Sequence, residues 1–441
     1  MEKIKIWVVS LWCNKTLVDT ENIIWTLWDK IELVNEKDAE IVFLNTCSFL
    51  KSARDEVIEN LNFLKDKKVV LIWCYTKFSK PEILDEFPQI WWIVSFKKYP
   101  EIYEILKSIN EWKKVYMDFE VEEKYLEMPW FKKLTPKHFA YLKISEGCDN
   151  ACAYCTIPQI RWKFRSRLPE KILNEAKILI KNWTKEIILT SQDTWYYWRD
   201  FKKDKENWIK IDFTELLKQI SDLDWDFKIR FLYMYPERIT DELLDLISKN
   251  EKILPYFDIP FQHASKDVLL KMNRPFMTDR IYDLVEKIRK ILPNAVLRTT
   301  FITWFPWETE EDFKILKKFI EDCKFERIWV FAYSNEKWAK SYDFENQIDE
   351  ETKEKRRKEI YELAEDISFE NNKKLLWKDF DVFVEWYDEE NDLFYWRSYR
   401  EAPEVDWKIF FYSERDLEVW EKISVKIDEI TEIDLIWSEN I

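Results

Sequence analysis

The chain has 441 residues, 46 % of them hydrophobic and 35 % charged, with a formal net charge of −15. That balance describes an ordinary globular protein, too long for one small core and suited to two to four domains. No stretch reaches the roughly 18 uninterrupted apolar residues of a membrane span, and the N-terminus has no signal-peptide pattern; a cytoplasmic protein with reduced cysteines is predicted.

In chain order, Ile4–Ser10, Ile41–Leu44 and Val69–Ile72 are short apolar, β-branched runs, and Ser52–Lys65 carries apolar residues at helical spacing. Strands alternating with helices predict a parallel α/β sheet over residues 1–125. One cysteine follows each strand: Cys13, Cys47 and Cys74. Ligands collect at the carboxyl ends of strands in such sheets, so the three are expected to converge. The charged stretch Glu120–Lys137 reads as a linker. Residues 134–374 repeat the strand-then-helix pattern: strands at Tyr141–Ser145, Glu186–Thr190, Lys228–Tyr233, Tyr256–Pro260, Ala295–Phe301 and Arg327–Ala332. Helices are expected at Pro169–Asn182, Thr240–Lys249, Lys266–Met272 and Asp279–Leu292, and a charged helix, Glu350–Lys374, ends the domain. Six such units suggest a partial or full β/α barrel. Residues 378–441 alternate as a small β-barrel does, with strands at Phe380–Val384, Lys408–Phe411 and Ile423–Ile427. This last domain holds most of the excess acid: 19 Asp or Glu face 7 Lys or Arg, a net −12. Such a face repels phosphate and attracts basic partners, or is simply a solvated acidic surface.

Twenty-five tryptophans stand against one glycine, where about 7 % glycine is usual. Several occupy turns that ask for φ > 0 or close backbone approach, such as Trp307 in Phe-Pro-Trp-Glu-Thr (305–309) and Trp407 in Pro-Glu-Val-Asp-Trp-Lys (403–408). The hypothesis is that most of these tryptophans stand for glycine, a UGA codon meaning glycine having been translated as tryptophan. Trp12, Trp73, Trp304, Trp307 and Trp407 are the positions to test first, and UGG codons there would refute it. The alternative is an aromatic-rich, non-enzymatic binding protein.

The most specific motif is Cys148-x3-Cys152-x2-Cys155. Three thiolates within eight residues can ligate three irons of a [4Fe-4S] cluster, leaving the fourth open to a small molecule. A zinc site wants four ligands, and neither His138 nor His263 has local spacing to complete one. Disulfides suit neither the predicted compartment nor the odd count of seven cysteines. Cys323 is expected to be a buried structural thiol lying after an amphipathic helix.

With Tyr154 before its last cysteine, and after the first barrel strand, this motif resembles the radical S-adenosylmethionine (SAM) superfamily. There the open iron binds SAM and the reduced cluster cleaves it to methionine and a 5′-deoxyadenosyl radical. Leu11-Trp12-Cys13-Asn14-Lys15, Asn45-Thr46-Cys47 and Trp73-Cys74 resemble the amino-terminal domain of the methylthiotransferase family. The resemblance covers essentially the whole chain. It implies an N-terminal parallel α/β domain, a central partial TIM-like barrel and a C-terminal TRAM-type β-barrel. It also implies a second [4Fe-4S] cluster, held by Cys13, Cys47 and Cys74, that handles sulfur. One SAM then methylates that sulfur, and a second, at Cys148, Cys152 and Cys155, makes the radical that abstracts hydrogen from the substrate.

Two branches of the family differ in substrate: one methylthiolates adenosine in the transfer-RNA anticodon loop, the other the β-carbon of an aspartate in small-subunit ribosomal protein twelve. Residues 134–144, 259–265 and above all Tyr-Trp-Arg-Ser-Tyr-Arg-Glu-Ala-Pro-Glu-Val-Asp-Trp (395–407) resemble the ribosomal-protein (RimO) branch. The acidic third domain agrees, since RNA binding calls for Lys and Arg. Transfer RNA is ranked second. A reductant of flavodoxin or ferredoxin type is implied. Ser191, Gln192, Asp193, Arg298 and Thr300, at barrel strands, are candidate SAM-pocket residues, although a helix cap also explains Ser191–Asp193. The basic run 160–167 either reaches SAM's carboxylate or is a solvated turn. His263 is expected to be a hydrogen-bonded core histidine.

Overall fold

The computed structural model describes residues 3–11, 13–77, 82–94, 102–110, 133–200, 211–274, 280–388, 393–406, 409–411, 417–419, 421–430 and 435–439. Contacts divide the chain into two compact units. The first comprises Met1–Ala151, Cys155–Trp225 and Glu336–Ala339, and the second Cys152–Tyr154, Asp226–Asn335 and Lys340–Ile441.

The first unit opens with β1 (Ile4–Ser10), α1 (Asn14–Thr26), β2 (Ile31–Leu33), β3 (Ile41–Thr46), α2 (Lys51–Phe63), β4 (Lys68–Trp73), α3 (Ile83–Glu86), β5 (Ile90–Val94) and α4 (Ile102–Asn110). The strands form one parallel sheet in the order β2-β1-β3-β4-β5. Every residue of β3 is buried, as expected of a parallel strand covered on both faces. Ile23 and Ile24 of α1 and Ile105 and Leu106 of α4 pack with Ile6, Phe43, Val70 and Ile72 on one face. On the other, Val57 and Leu61 of α2 meet Val42, Leu44 and Leu71. Helix α1 was not foreseen, for a physical reason. Asn14, Thr16, Asp19, Thr20 and Glu21 are buried beside its apolar residues, so its sequence lacks the polar stripe that marks a surface helix.

The unit continues through β6 (Phe139–Lys143), β7 (Ser145–Glu146), α5 (Ile157–Arg161), β8 (Arg165–Ser166), α6 (Pro169–Lys181), β9 (Glu186–Thr190) and α7 (Phe213–Ser221). β6 pairs in parallel with β9 from Phe139↔Glu186 to Lys143↔Thr190, and both strands are wholly buried. Residues 120–132 of the expected linker lie outside the described residues.

The second unit runs β10 (Lys228–Phe231), α8 (Asp241–Lys249), β11 (Tyr256–Asp258), α9 (Lys266–Lys271), α10 (Ile281–Ile291), β12 (Val296–Thr303), α11 (Glu310–Cys323), β13 (Arg327–Ala332) and α12 (Glu350–Lys373). β11, β12 and β13 are parallel neighbours. A capping box of Thr309 and Asp312 starts α11. Then β14 (Asp379–Asp388), β15 (Leu393–Arg397), β16 (Ile409–Phe411), β17 (Lys422–Ile430) and β18 (Leu435–Glu439) close into a barrel ordered β14-β15-β16-β18-β17. Val382, Val384, Trp396, Ile423, Val425 and Ile427 fill it at the two-residue spacing of strands.

The segment that pointed to the ribosomal-protein branch docks this small barrel onto β10, β11 and β13. The Tyr256 hydroxyl donates to Asp406 Oδ2 at 2.6 Å, Arg327 pairs with Glu401 at 3.0 Å, and Arg230 donates to the Tyr399 carbonyl at 3.0 Å. Arg327 and Glu401 are buried and mutually paired, the arrangement that makes removal of one partner costly.

The backbone speaks to the tryptophans. Among the described residues, twelve non-glycine residues have positive φ, and six of them are tryptophan: Trp162, Trp183, Trp198, Trp304, Trp307 and Trp377. Trp162 has φ 63° and ψ −167°, a combination that is nearly glycine-only. Trp304 and Trp307 thus fit the glycine hypothesis, whereas Trp73 ends β4 in a strand conformation. Trp12 and Trp407 lie outside the described residues.

Candidate metal centres

Cys13, Cys47 and Cys74 follow β1, β3 and β4, which are adjacent in the sheet. Register pairs Ser10 with Asn45 and Thr46 with Trp73, so the strands deliver their cysteines to one edge. Cys13 is the N-cap of α1, its carbonyl accepting from the Thr16 hydroxyl at 2.9 Å. Cys74 is buried and the other two are half-buried. Burial pushes Cys47 up to about 12, and the neighbouring Cys13 and Cys74 sulfurs push the same way. Burial also raises Cys74, against the charge of Arg161. For Cys13 burial is outweighed by the charges of Lys15 and Arg161 and by hydrogen bonds from Thr16, and its thiol is lowered. Three sulfurs that repel one another as thiolates, at a helix N-terminus and beside a guanidinium, suit a cationic cluster.

The second triad lies on the irregular stretch between β7 and α5. Gly147, the lone glycine, has φ 81°, and a Cβ there would come 2.8 Å from the Arg161 carbonyl and closer still to that of Lys163. Gln192 accepts from the Gly147 N–H at 2.9 Å and donates to Glu146. Asp193 accepts from Asn150 at 2.7 Å, and Asn150 also reaches Cys148 Sγ at 3.4 Å. The sequence-predicted Gln192 and Asp193 therefore brace the cysteine loop. Ser191 accepts from the Asp193 N–H at 3.1 Å, a local turn. Arg298 is placed differently, paired with Asp258 at 2.6 Å and Asp406 at 3.4 Å. Thr300 lies on β12 and its carbonyl accepts from Gln262.

Other residues emerge only from the structure. Arg274 sits 3.8 Å from Cys152 Sγ and 3.4 Å from the Tyr154 hydroxyl, over the Tyr235 ring. In the first unit Asp19, Lys143, Glu146 and Arg161 form a buried quartet: Arg161 meets Asp19 at 2.9 Å and Glu146 at 3.3 Å, and Lys143 meets Glu146 at 2.7 Å and also pairs with Asp19. The run 160–167 is thus no solvated turn, since Arg161 and Arg167 are buried and engaged. A lysine closing an otherwise apolar strand, Phe139–Lys143, was the missed signal.

All seven cysteines are free thiols. Among the described residues no three His, Cys, Asp or Glu side chains close around a single ion; the thiolates of an iron–sulfur cluster sit on different irons and are spread wider than the ligands of one ion. Six soft thiols in two sets of three fit the donor chemistry of two clusters. Cys323 is the last residue of α11 rather than beyond it, buried and pushed up to about 12 by that burial.

His263 is fully buried, its Nδ1 accepting from the Ser265 N–H at 2.9 Å, and burial pushes it down to about 3. Its unfolded form takes up a proton near pH 6.5 and its folded form does not until about pH 3. Its contribution is therefore complete above pH 6.5 and is lost as pH falls through about 3, at up to roughly 1.4 kcal/mol per unit. His263→Asn is expected to narrow its stability gap to the parent by about 1 kcal/mol per pH unit between pH 6 and 4. Urea unfolding at three pH values checks this, and a constant gap would refute it.

Residues 142–320 match the radical SAM superfamily, residues 5–95 the uncharacterized protein family UPF0004, and residues 378–438 the TRAM domain. Curated relatives named ribosomal protein uS12 methylthiotransferase RimO align over nearly the whole chain. That of Aquifex aeolicus is 38 % identical across 98 % of this chain and 96 % of its own length. That of a Thermoanaerobacter species is 36 % identical across 97 % and 98 %. Among solved structures, the radical SAM methyltransferase TsrM of Kitasatospora setae shares the fold, with a TM-score of 0.53 and 11 % identity over 75 % of this chain and 72 % of that one. No helix among the described residues is long and apolar enough to cross a membrane. On these grounds the chain belongs to the RimO family of radical-SAM methylthiotransferases.

Proposed function

We propose that this enzyme adds a methylthio group to the β-carbon of an aspartate in ribosomal protein uS12. The observation that carries this is the pair of cysteine triads on separate scaffolds, one at a sheet edge and one on a loop, in a chain whose relatives bear that name. Cys13, Cys47 and Cys74 would hold one [4Fe-4S] cluster, and Cys148, Cys152 and Cys155 the other, with SAM on the open iron. When bound, the clusters supply an electron for SAM cleavage and a site for sulfur.

The chain's own residues do the positioning. The sheet edge fixes Cys13, Cys47 and Cys74 on three adjacent strand ends, so their relative placement is set by backbone register. Gln192 and Asp193 hold the loop of the second triad from outside, through Gly147 and Asn150. Arg274 keeps a fixed positive charge beside Cys152. The −12 charge of residues 378–441 favours a basic protein over an RNA backbone. We infer a cytoplasmic location and a flavodoxin- or ferredoxin-type reductant to supply the electron for SAM cleavage.

Anaerobically reconstituted protein, given SAM, sulfide and reductant, is expected to add a methylthio group to uS12 and leave transfer RNA unmodified. Mass spectrometry of both substrates decides it. Modification of the RNA alone would overturn the assignment.

A further inference from the structure

Arg161 is the last residue of α5, the helix that follows Cys155, yet its side chain reaches the other triad. Its side chain is 2 % exposed. One nitrogen is held by Asp19 at 2.9 Å and Glu146 at 3.3 Å, and the other lies 3.5 Å from Cys74 Sγ. Lys143 bridges the same two carboxylates, so the group is locked in place by a quartet of no net charge. Its carbonyl is among the atoms that exclude a Cβ at Gly147. A planar fork that binds two carboxylates and still presents an N–H to sulfur is a task for arginine and not for lysine.

We propose that Arg161 is a positioning residue for the amino-terminal triad, donating an N–H to the Cys74 sulfur and thereby raising the reduction potential of the cluster held there. This rests on assigning that cluster to Cys13, Cys47 and Cys74. Hydrogen bonds to ligating sulfurs stabilise the more negative, reduced state, and a charged donor does so more strongly than a neutral one. A purely structural ion pair would hold α1 to β6 and α5 with no effect on potential.

The test uses the full-length chain carrying Cys148→Ala, Cys152→Ala and Cys155→Ala, so that one cluster remains. About four irons per chain are expected. In that parent, Arg161→Lys keeps the charge but not the planar fork that reaches sulfur while holding both carboxylates, and Asp19→Asn with Arg161→Met keeps the quartet neutral and removes the donor at sulfur. Potentiometric titration followed by electron paramagnetic resonance is expected to show a midpoint shifted to more negative values in both, with iron retained. Loss of iron with an unchanged melting curve also supports the role, since the sulfur has lost its anchor. A parent without iron defeats the cluster assignment, and the role of Arg161 with it. An iron-loaded parent whose midpoint neither variant moves overturns the role of Arg161 alone. So does unfolding of both variants, because the residue would then be a pillar of the fold and nothing more.

Discussion

Replacing Cys152 with alanine is expected to stop SAM cleavage altogether, whereas replacing Cys47 is expected to leave cleavage intact and abolish only methylthio transfer. The two triads sit on different elements: Cys47 at the end of β3, and Cys152 on the loop between β7 and α5. Each is backed by its own arginine, Arg161 at Cys74 and Arg274 at Cys152. Losing one thiolate from a three-cysteine set removes one of the three ligands that would hold the cluster. Each variant should therefore fall from about eight irons per chain to about four. Quantifying 5′-deoxyadenosine and modified uS12 in parallel separates the steps. Transfer by Cys47→Ala at the parent rate would sink the two-cluster assignment. SAM cleavage retained by Cys152→Ala would instead remove Cys152 from the radical step.

The sites were legible in part because strand ends can be read from sequence. Cys13, Cys47 and Cys74 are 61 residues apart in the chain at most, and only a parallel sheet makes them neighbours. The apolar runs before them carry that information. What stayed hidden were charges inside the fold. Asp19 looks like an ordinary surface residue until the structure pairs it with Lys143 and Arg161. Periodicity marks which faces are apolar and says nothing about which buried charges find partners. Arg298 shows the same gap. It was singled out by its place on a barrel strand, and its guanidinium lies between Asp258 and Asp406, a partner contributed from more than a hundred residues away. The Glu-Ala-Pro-Glu-Val-Asp segment, chosen for its resemblance alone, has a physical role there through Glu401 and Asp406.

Converting Trp183 to glycine should stabilise the protein, the reverse of what trimming a large side chain normally does. Thr184 N–H bonds to the Leu179 carbonyl at 3.2 Å and Trp183 N–H to that of Ile180 at 3.1 Å. That is the Schellman pattern at the end of α6, and its left-handed position is where glycine belongs. Trp183 holds it at φ 69° with 74 % of its surface exposed. Little packing is lost on removal, and a left-handed backbone costs a bulky residue about 1–2 kcal/mol. Trp377, at φ 65° and 68 % exposed, shares the left-handed backbone and the exposure, although its N–H bonds to the Ile427 carbonyl at 2.8 Å rather than into a helix. Each substitution should gain about 1 kcal/mol, or roughly 2–4 °C in Tm for a cooperative unit of some 200 residues. Trp386 supplies the opposite sign. It lies within β14, 57 % exposed and stacked on Tyr395 at 5.4 Å, and glycine in a strand should lose about 1 kcal/mol there. Calorimetry of the three variants reads the contrast directly. Stabilisation at Trp183 and Trp377 with destabilisation at Trp386 would mean that the backbone was built for glycine at particular turns. Destabilisation at all three would mean that the tryptophans are native, and the glycine hypothesis would fall whatever the composition suggests. Under that hypothesis Trp162 carries the greatest consequence: it follows Arg161 directly, in the conformation least tolerant of a side chain. Glycine there would relax the turn that sets the Arg161 guanidinium against Cys74.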